Sequence, residues 1–385
     1  MPISLGIGTA VTRGGGLYGP PPQLDLNFAS LLSLTPSVGP TPSFTRASTG
    51  TYFDASGVLT TAAINGPRFD HVYNGSSWVS KGLLVEEQRT NLALYSQNFT
   101  NIYWTKTAPV TLTAADRVAP DGTQTGTKVV FTAVNQEVYR SVGLSGTPYT
   151  ISLWVYGTNG ETITLFDGNT MVLTTLTGTW QRLVTTSSNT THFDFGTFGG
   201  STARTVWIWG AQVESGSFPT SYIPTTTAAA TRSADVCQIT GSDFTSFWNA
   251  SEGSVAVSYD MTSTAIPSGS LQRIFSVWNS GFSSGFAFSD RDTTSGIESS
   301  AGGNFNFGVP VSPNTTAFAY KVNDFATSRN GGTVLTGSGA IFSSPSSMYI
   351  GNNNGTGLFV HNGHIARLRY FNTRLLNSQL VALSI

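Results

Sequence analysis

The sequence has one cysteine in 385 residues, and 10% of its residues are charged, against about 25% in an ordinary globular chain. A lone Cys237 makes no intrachain disulfide, and a thiolate metal site needs several cysteines, so the chain folds without covalent or zinc staples. Basic and acidic residues number 19 and 20, for a net charge of -1, which leaves no basic field to gather phosphates; no nucleic acid is expected as a partner. No apolar run approaches the roughly 20 residues that cross a bilayer, so no membrane insertion is expected. Met1–Gly8 carries no Lys or Arg and is broken by Pro2, Gly6 and Gly8, and it does not read as a secretion signal. Long apolar stretches at the helical period are missing too.

Aromatic residues are plentiful: Phe 24, Tyr 13 and Trp 8 supply ample material for cores and exclude a disordered chain. Short β-branched and aromatic runs recur between clusters of Gly, Asn, Ser and Pro, which is the pattern of an all-β fold. Strands are expected at Lys128–Thr132, Tyr149–Tyr156, Thr162–Phe166, Trp180–Thr185, Thr205–Val213, Gly253–Asp260, Gln272–Trp278, Gly285–Phe288, Ser347–Gly351 and Gly363–Phe371. The length suits two β-sandwich domains of jelly-roll type. Residues 1–23 form an extended N-terminal anchor, residues 24–94 a β-ribbon, residues 95–235 the first sandwich and residues 236–385 the second, with the small polar stretch Thr225–Ser233 as linker. One helix is expected, at the C-terminus, with Asn377 as its cap.

Several segments then carry a resemblance. Phe44-Thr-Arg-Ala-Ser-Thr-Gly-Thr-Tyr-Phe-Asp54, Pro67-Arg-Phe-Asp-His71, Gly82-Leu-Leu-Val-Glu-Glu-Gln-Arg-Thr-Asn-Leu92, Ala119-Pro-Asp-Gly-Thr123, Trp209-Gly-Ala-Gln-Val-Glu-Ser-Gly-Ser-Phe-Pro-Thr-Ser-Tyr-Ile-Pro224 and Thr231-Arg-Ser-Ala-Asp-Val236 resemble, in order and spacing, motifs of tailed-bacteriophage virion proteins. The resemblance implies a carbohydrate-binding-module-like jelly roll, and Gly253-Ser-Val-Ala-Val257 with Gly363-His-Ile-Ala-Arg-Leu-Arg-Tyr-Phe-Asn-Thr-Arg-Leu-Leu376 makes the last third similar to concanavalin A-like or laminin-G-like sandwiches. It also implies a lectin-like appendage, such as a tail fibre, head spike or tail-tip component, exposed on the virion. Its partners would be host cell-surface glycans and other virion proteins, namely capsid, portal-proximal or tail subunits. A homotrimer is the assembly expected of a fibre or spike, and a decoration or connector without a glycan ligand is the alternative.

Sugar-binding sandwiches stack pyranose rings on aromatic faces and bind hydroxyls with short polar side chains. Trp154, Trp180, Trp207 and Trp209 are the aromatic candidates, with alternation placing Trp207 and Trp209 on the face opposite Val206 and Ile208. Asn352, Asn353, Asn354 and His361 are the loop candidates. The alternation Ile3, Leu5, Ile7 suits strand addition to a virion partner. No catalytic residue is assigned: adjacent Glu86 and Glu87 point to opposite faces of a strand and cannot pair across a sugar, so no enzyme is expected. Glu86 and Arg89 are expected to form an ion pair fixing ribbon to sandwich. No cofactor and no metal site are expected; the ion such loops would hold is calcium, for which Asp290 and Asp292 supply only two carboxylates.

Overall fold

The computed structural model describes residues 19–200, 202–264, 266, 270–300, 304–353, 355 and 359–385. Ile3, Leu5, Ile7 and Asn354 lie outside the described residues. The fold is all-β, in antiparallel sheets packed as sandwiches, and each of the ten expected strands falls within an observed one or overlaps it. Among the described residues three short helices accompany them, Phe28–Leu31, Gly241–Thr245 and Asn377–Leu383. The last begins one residue earlier than expected: Leu376 is its N-cap, and its backbone N–H donates to Gln379 Oε1 (2.9 Å).

The jelly roll is one wrapped sheet. In it, Met171–Thr175, Thr162–Phe166, Gln181–Gly196, Glu137–Tyr156, Arg204–Ser215, Gly126–Phe131 and Thr111–Arg117 are hydrogen-bonded in that order, and Thr105–Lys106 is added beside Glu137–Tyr156. Register shifts between Ser141 and Leu144 and between Ser145 and Tyr149 break the two longest strands into halves. Both halves bury side chains in one core, Val138, Phe193 and Phe195 from one and Ile151, Leu153 and Leu183 from the other.

The second sandwich is discontinuous in sequence. One of its sheets runs Leu335–Gly337, Phe325–Arg329, Asn314–Lys321, Glu252–Met261, Gly363–Phe371, Trp78–Val85 and Phe69–Tyr73, with Leu24–Leu26 also on Gly363–Phe371. The facing sheet begins with Ser43–Thr45 and Val236–Thr240. The segment expected as a ribbon thus contributes Leu24–Leu26, Ser43–Thr45, Phe69–Tyr73 and Trp78–Val85 to this sandwich, and its Leu24, Phe28, Phe44, Leu83 and Val85 join the core of Val255, Phe286 and Phe318. Alternation reveals that a segment is a strand but not which sheet edge it joins. The linker is also ordered: Ala230–Arg232 pairs with Arg89–Asn91, so the chain leaves and re-enters the second sandwich at one place.

Candidate functional site

The motif residues converge where the jelly roll meets the second sandwich. Arg46, Arg68, Arg232, Glu86 and Asp235 are all buried there, joined into one ionic knot. Arg46 Nη1 donates to Asp235 Oδ1 (3.0 Å), Arg68 Nη1 and Arg232 Nη1 donate to Glu86 Oε2 (2.6 and 2.8 Å), and Arg68 Nη2 is bonded to Asp235 Oδ2. Ser221 closes the knot from the jelly roll, with its N–H donating to Glu86 Oε1 (2.7 Å) and its hydroxyl to Oε2 (2.6 Å). Burial pushes the Glu86 carboxyl up, but Arg232, Arg68 and Ser221 outweigh it and hold the group well below the usual carboxylate range. The expected Glu86–Arg89 pair does not form. Arg89 turns to Glu87 (2.5 Å) and lies over the Phe218 ring, because Glu86 points inward from the strand edge and its neighbour points out.

A bulge delivers the jelly-roll side of this junction. Val206 and Ile208 face the main core, but Ala211 and Val213 do so further along the same strand, so the alternation slips by one between them. Gly210 makes the slip at φ +68°, where a Cβ would stand 2.8 Å from Trp154 Cε3. Trp209, Gln212 and Glu214 therefore share the junction face. Trp209 is fully buried there with Trp154, Tyr222, Leu59 and Ala119.

Beside the knot lies a cleft of about 580 Å³. Its aromatic lining includes Tyr52, Phe53, Tyr73, Trp78, Trp154 and Trp180, contributed by both sandwiches and the connecting hairpins. Four of its charged lining residues come from neighbouring strands of one sheet, Asp70, Lys81, Asp260 and His364, and Glu86 and Arg182 complete the charged lining. His364 is clamped, with Nδ1 2.5 Å from Asp260 Oδ1 and Nε2 3.0 Å from Asp70 Oδ2. Carboxylates only accept, so both ring nitrogens donate and the imidazole is cationic. Burial opposes that charge, and the bonds to Asp260 and Asp70 override it, raising the His364 pKa to about 9. Asp260 is drawn down to about 2: burial opposes the shift, and the bond and charge of His364, followed by Lys81 (3.2 Å), prevail. Across the cleft, Arg182 Nη1 donates to the Thr220 carbonyl (2.7 Å) and Nη2 to Ser152 Oγ (2.8 Å), and its guanidinium lies 4.5 Å from the Trp154 ring centroid.

The sequence-derived candidates separate on this geometry. Trp154 and Trp180 line the cleft; Trp180 is half-buried, and its Nε1 donates to the Val118 carbonyl (2.9 Å). Trp209 is closed off in the core by the hairpin of Leu59, a covering layer that alternation does not foresee. Trp207 is half-buried, but the Arg117 guanidinium stacks on it (4.3 Å) and on Tyr156 (3.5 Å), and its Nε1 donates to Asp116 (2.7 Å), so its ring is occupied by the chain itself. Asn352 is fully buried, its Nδ2 donating to the Cys237 and Ile350 carbonyls and its Oδ1 accepting from Gly355. Asn353 Oδ1 accepts from Trp278 Nε1 (3.1 Å). His361 is fully buried edge-on to Tyr259, where burial pushes its pKa down to about 4. Asn352 and His361 are thus withdrawn from the surface, while Asn353 is half-buried. Asp290 is buried in the core and Asp292 bonds its own turn, and no group of three His, Cys, Asp or Glu able to hold a metal occurs among the described residues.

Sequence reasoning missed Asp70, Lys81, Trp78, Arg182, Asp260 and His364 as neighbours. The one available signal was that His71 and Asp70 belong to a motif of the resemblance.

No family model matches the chain, and no curated protein matches it by sequence. Among solved structures, it is similar to the Ruminococcus gnavus IT-sialidase CBM40 bound to alpha2,6 sialyllactose, at 17% identity and TM-score 0.31, over 37% of this chain and 88% of that one. It is also similar to the CBM22 tandem domain of Paenibacillus barcinonensis Xyn10C, at 11% identity and TM-score 0.25, over 74% of this chain and 96% of that one. A third similarity is to domains LG4-5 of the mouse laminin alpha1 chain, at 10% identity and TM-score 0.25, over 62% of this chain and 87% of that one.

Proposed function

We propose that this protein is a virion appendage component that binds host-surface glycans in the junction cleft and is docked to the particle by residues 1–23. The observation that carries the binding role is the cleft itself, where several aromatic rings and a set of fixed polar groups face one concavity of about 580 Å³. Rings offer apolar area at little entropic cost, and the clamped Asp70, His364 and Asp260 hold their geometry without a ligand. The virion assignment rests on the motif resemblance over residues 24 to 236, and a trimeric particle-bound form would multiply weak single-sugar contacts by avidity. The protein acts by binding and carries out no catalysis.

A connector role without glycan is favoured by one observation, the apolar hairpin tip beside the cleft, where Val72, Tyr73 and Val79 are 41%, 52% and 40% exposed. The test is binding of the full-length protein and of a chain lacking residues 1–23 to host cells before and after periodate oxidation. Periodate-sensitive binding by both, weakened at least about tenfold by Trp180→Ala, supports the glycan reading. Periodate-insensitive or absent binding, with the full-length chain still joining particles, favours the connector.

A further inference from the structure

Three carboxylates line the cleft, and each already holds a cation. Asp70 is bonded to His364, Glu86 to Arg68 and Arg232, and Asp260 to His364 and Lys81. Arg182 differs from every other arginine of the junction. Arg46, Arg68, Arg89 and Arg232 each have a carboxylate partner, whereas Arg182 has none within ion-pair distance among the described residues. It is held by two neutral acceptors, its Nε is buried without a partner, and its flat face is backed by Trp154. Glu214, the next carboxylate inward, is taken up by Gln212 Nε2 (2.6 Å), the Thr220 N–H (2.9 Å) and the Thr220 hydroxyl (2.7 Å).

Glu214 and Glu86 act on Arg182 only from beyond contact, and a half-buried guanidinium without a direct ion-pair partner, braced on an aromatic ring at the wall of a cavity, is an arrangement that an incoming carboxylate completes. Guanidinium and carboxylate match in planarity and in donor and acceptor number, and the low dielectric of the cleft strengthens the pair. We infer that the cleft selects a carboxylate-bearing sugar, a uronic or sialic acid residue, whose carboxylate is anchored by Arg182 while its ring lies against the neighbouring aromatic wall of Trp180. A neutral sugar would leave the guanidinium without a direct ion-pair partner, so discrimination against neutral glycans follows from the same geometry. Lys81, Asp260 and Pro313 also border a second hollow of about 430 Å³, where an acidic chain, rather than a lone sugar, would find room to extend.

This inference rests on the glycan-binding reading, and its test separates the two. Binding of the full-length protein is measured to polygalacturonate, hyaluronan and α2,8-linked polysialic acid, and to each polymer after its carboxyl groups are reduced to alcohols. The expected result is binding to at least one acidic polymer, weakened tenfold or more by reduction. Arg182→Gln should lose that preference, Arg182→Lys should retain part of it, and melting temperatures should establish that both variants fold. The polymer that responds tells a uronic from a sialic ligand. Equal binding before and after reduction overturns the carboxylate anchor while leaving glycan binding intact. Binding to none of the acidic polymers, with periodate-sensitive attachment to host cells retained, also overturns the anchor alone; loss of both overturns the two readings together.

Discussion

The ionic knot and the cleft beside it are made from the same kinds of residue, arginines and carboxylates on neighbouring strands, and they differ in what is left over. In the knot, Arg46, Arg68 and Arg232 surround Glu86 and Asp235 with solvent excluded and each charge answered. In the cleft, the carboxylates are answered by His364 and Lys81, but Arg182 and the aromatic faces remain open to a ligand. A satisfied buried network locks two elements into one geometry, while an adjoining site with unspent groups is where the proposed ligand would be held. The knot ties the jelly roll, through Ser221, to Glu86 at the end of Trp78–Val85 and to Asp235 just past the linker.

The comparison breaks most visibly if the knot is opened. Glu86→Gln leaves Arg68 and Arg232 buried with one counter-charge fewer, and the expected loss is about 3–5 kcal/mol of stability by urea unfolding. A loss below 1 kcal/mol would mean that water enters the junction and that the knot is not what holds the two sandwiches.

The next effect is on pH. The folded pKa of His364, near 9, lies above its unfolded value of about 6.5. Its contribution is therefore complete below about pH 6.5 and is lost as the pH rises through about 9, a change on the order of 3 kcal/mol. Wild-type stability should fall more steeply than that of His364→Gln between about pH 7 and 10, and parallel curves would show that the clamp contributes nothing.

A smaller effect distinguishes the open aromatics from the occupied ones. Trp78→Ala should weaken glycan binding by about tenfold, or 1.4 kcal/mol, whereas Trp207→Ala, whose ring is already stacked by Arg117, should leave affinity unchanged. The reverse order would move the binding face to the outer surface of the jelly roll. The smallest expected quantity is the coupling between Glu86 and Arg89. Since Arg89 pairs with Glu87, a double-mutant cycle of Glu86→Gln and Arg89→Gln should give a coupling energy below about 0.5 kcal/mol.

The strands were legible because a two-residue period in side-chain polarity marks a half-buried strand wherever it lies, as at Thr162–Phe166 and Gly363–Phe371. Motif residues were legible as a set, and Arg46, Arg68, Glu86, Arg232 and Asp235 do meet. Their role was not legible, since a charge in a motif reads the same whether it is buried or exposed. The cleft was least visible of all. Asp70 and His364 touch across 294 residues of sequence, and Arg182 reaches Thr220 across 38, so no local window contains the site.

The sequence by itself determined an all-β chain without disulfides, the position of its main strands and which faces of Arg204–Ser215 are apolar up to Gly210. The tertiary structure decided that Leu24–Leu26, Ser43–Thr45, Phe69–Tyr73 and Trp78–Val85 complete the second sandwich, that Trp209 is covered while Trp180 lines a cleft, and that Arg182 has no ion-pair partner among the described residues. The reason is physical: periodicity is set by the backbone of each strand alone, whereas burial, pairing of charges and the shape of a cleft are properties of surfaces that come together only when distant strands pack.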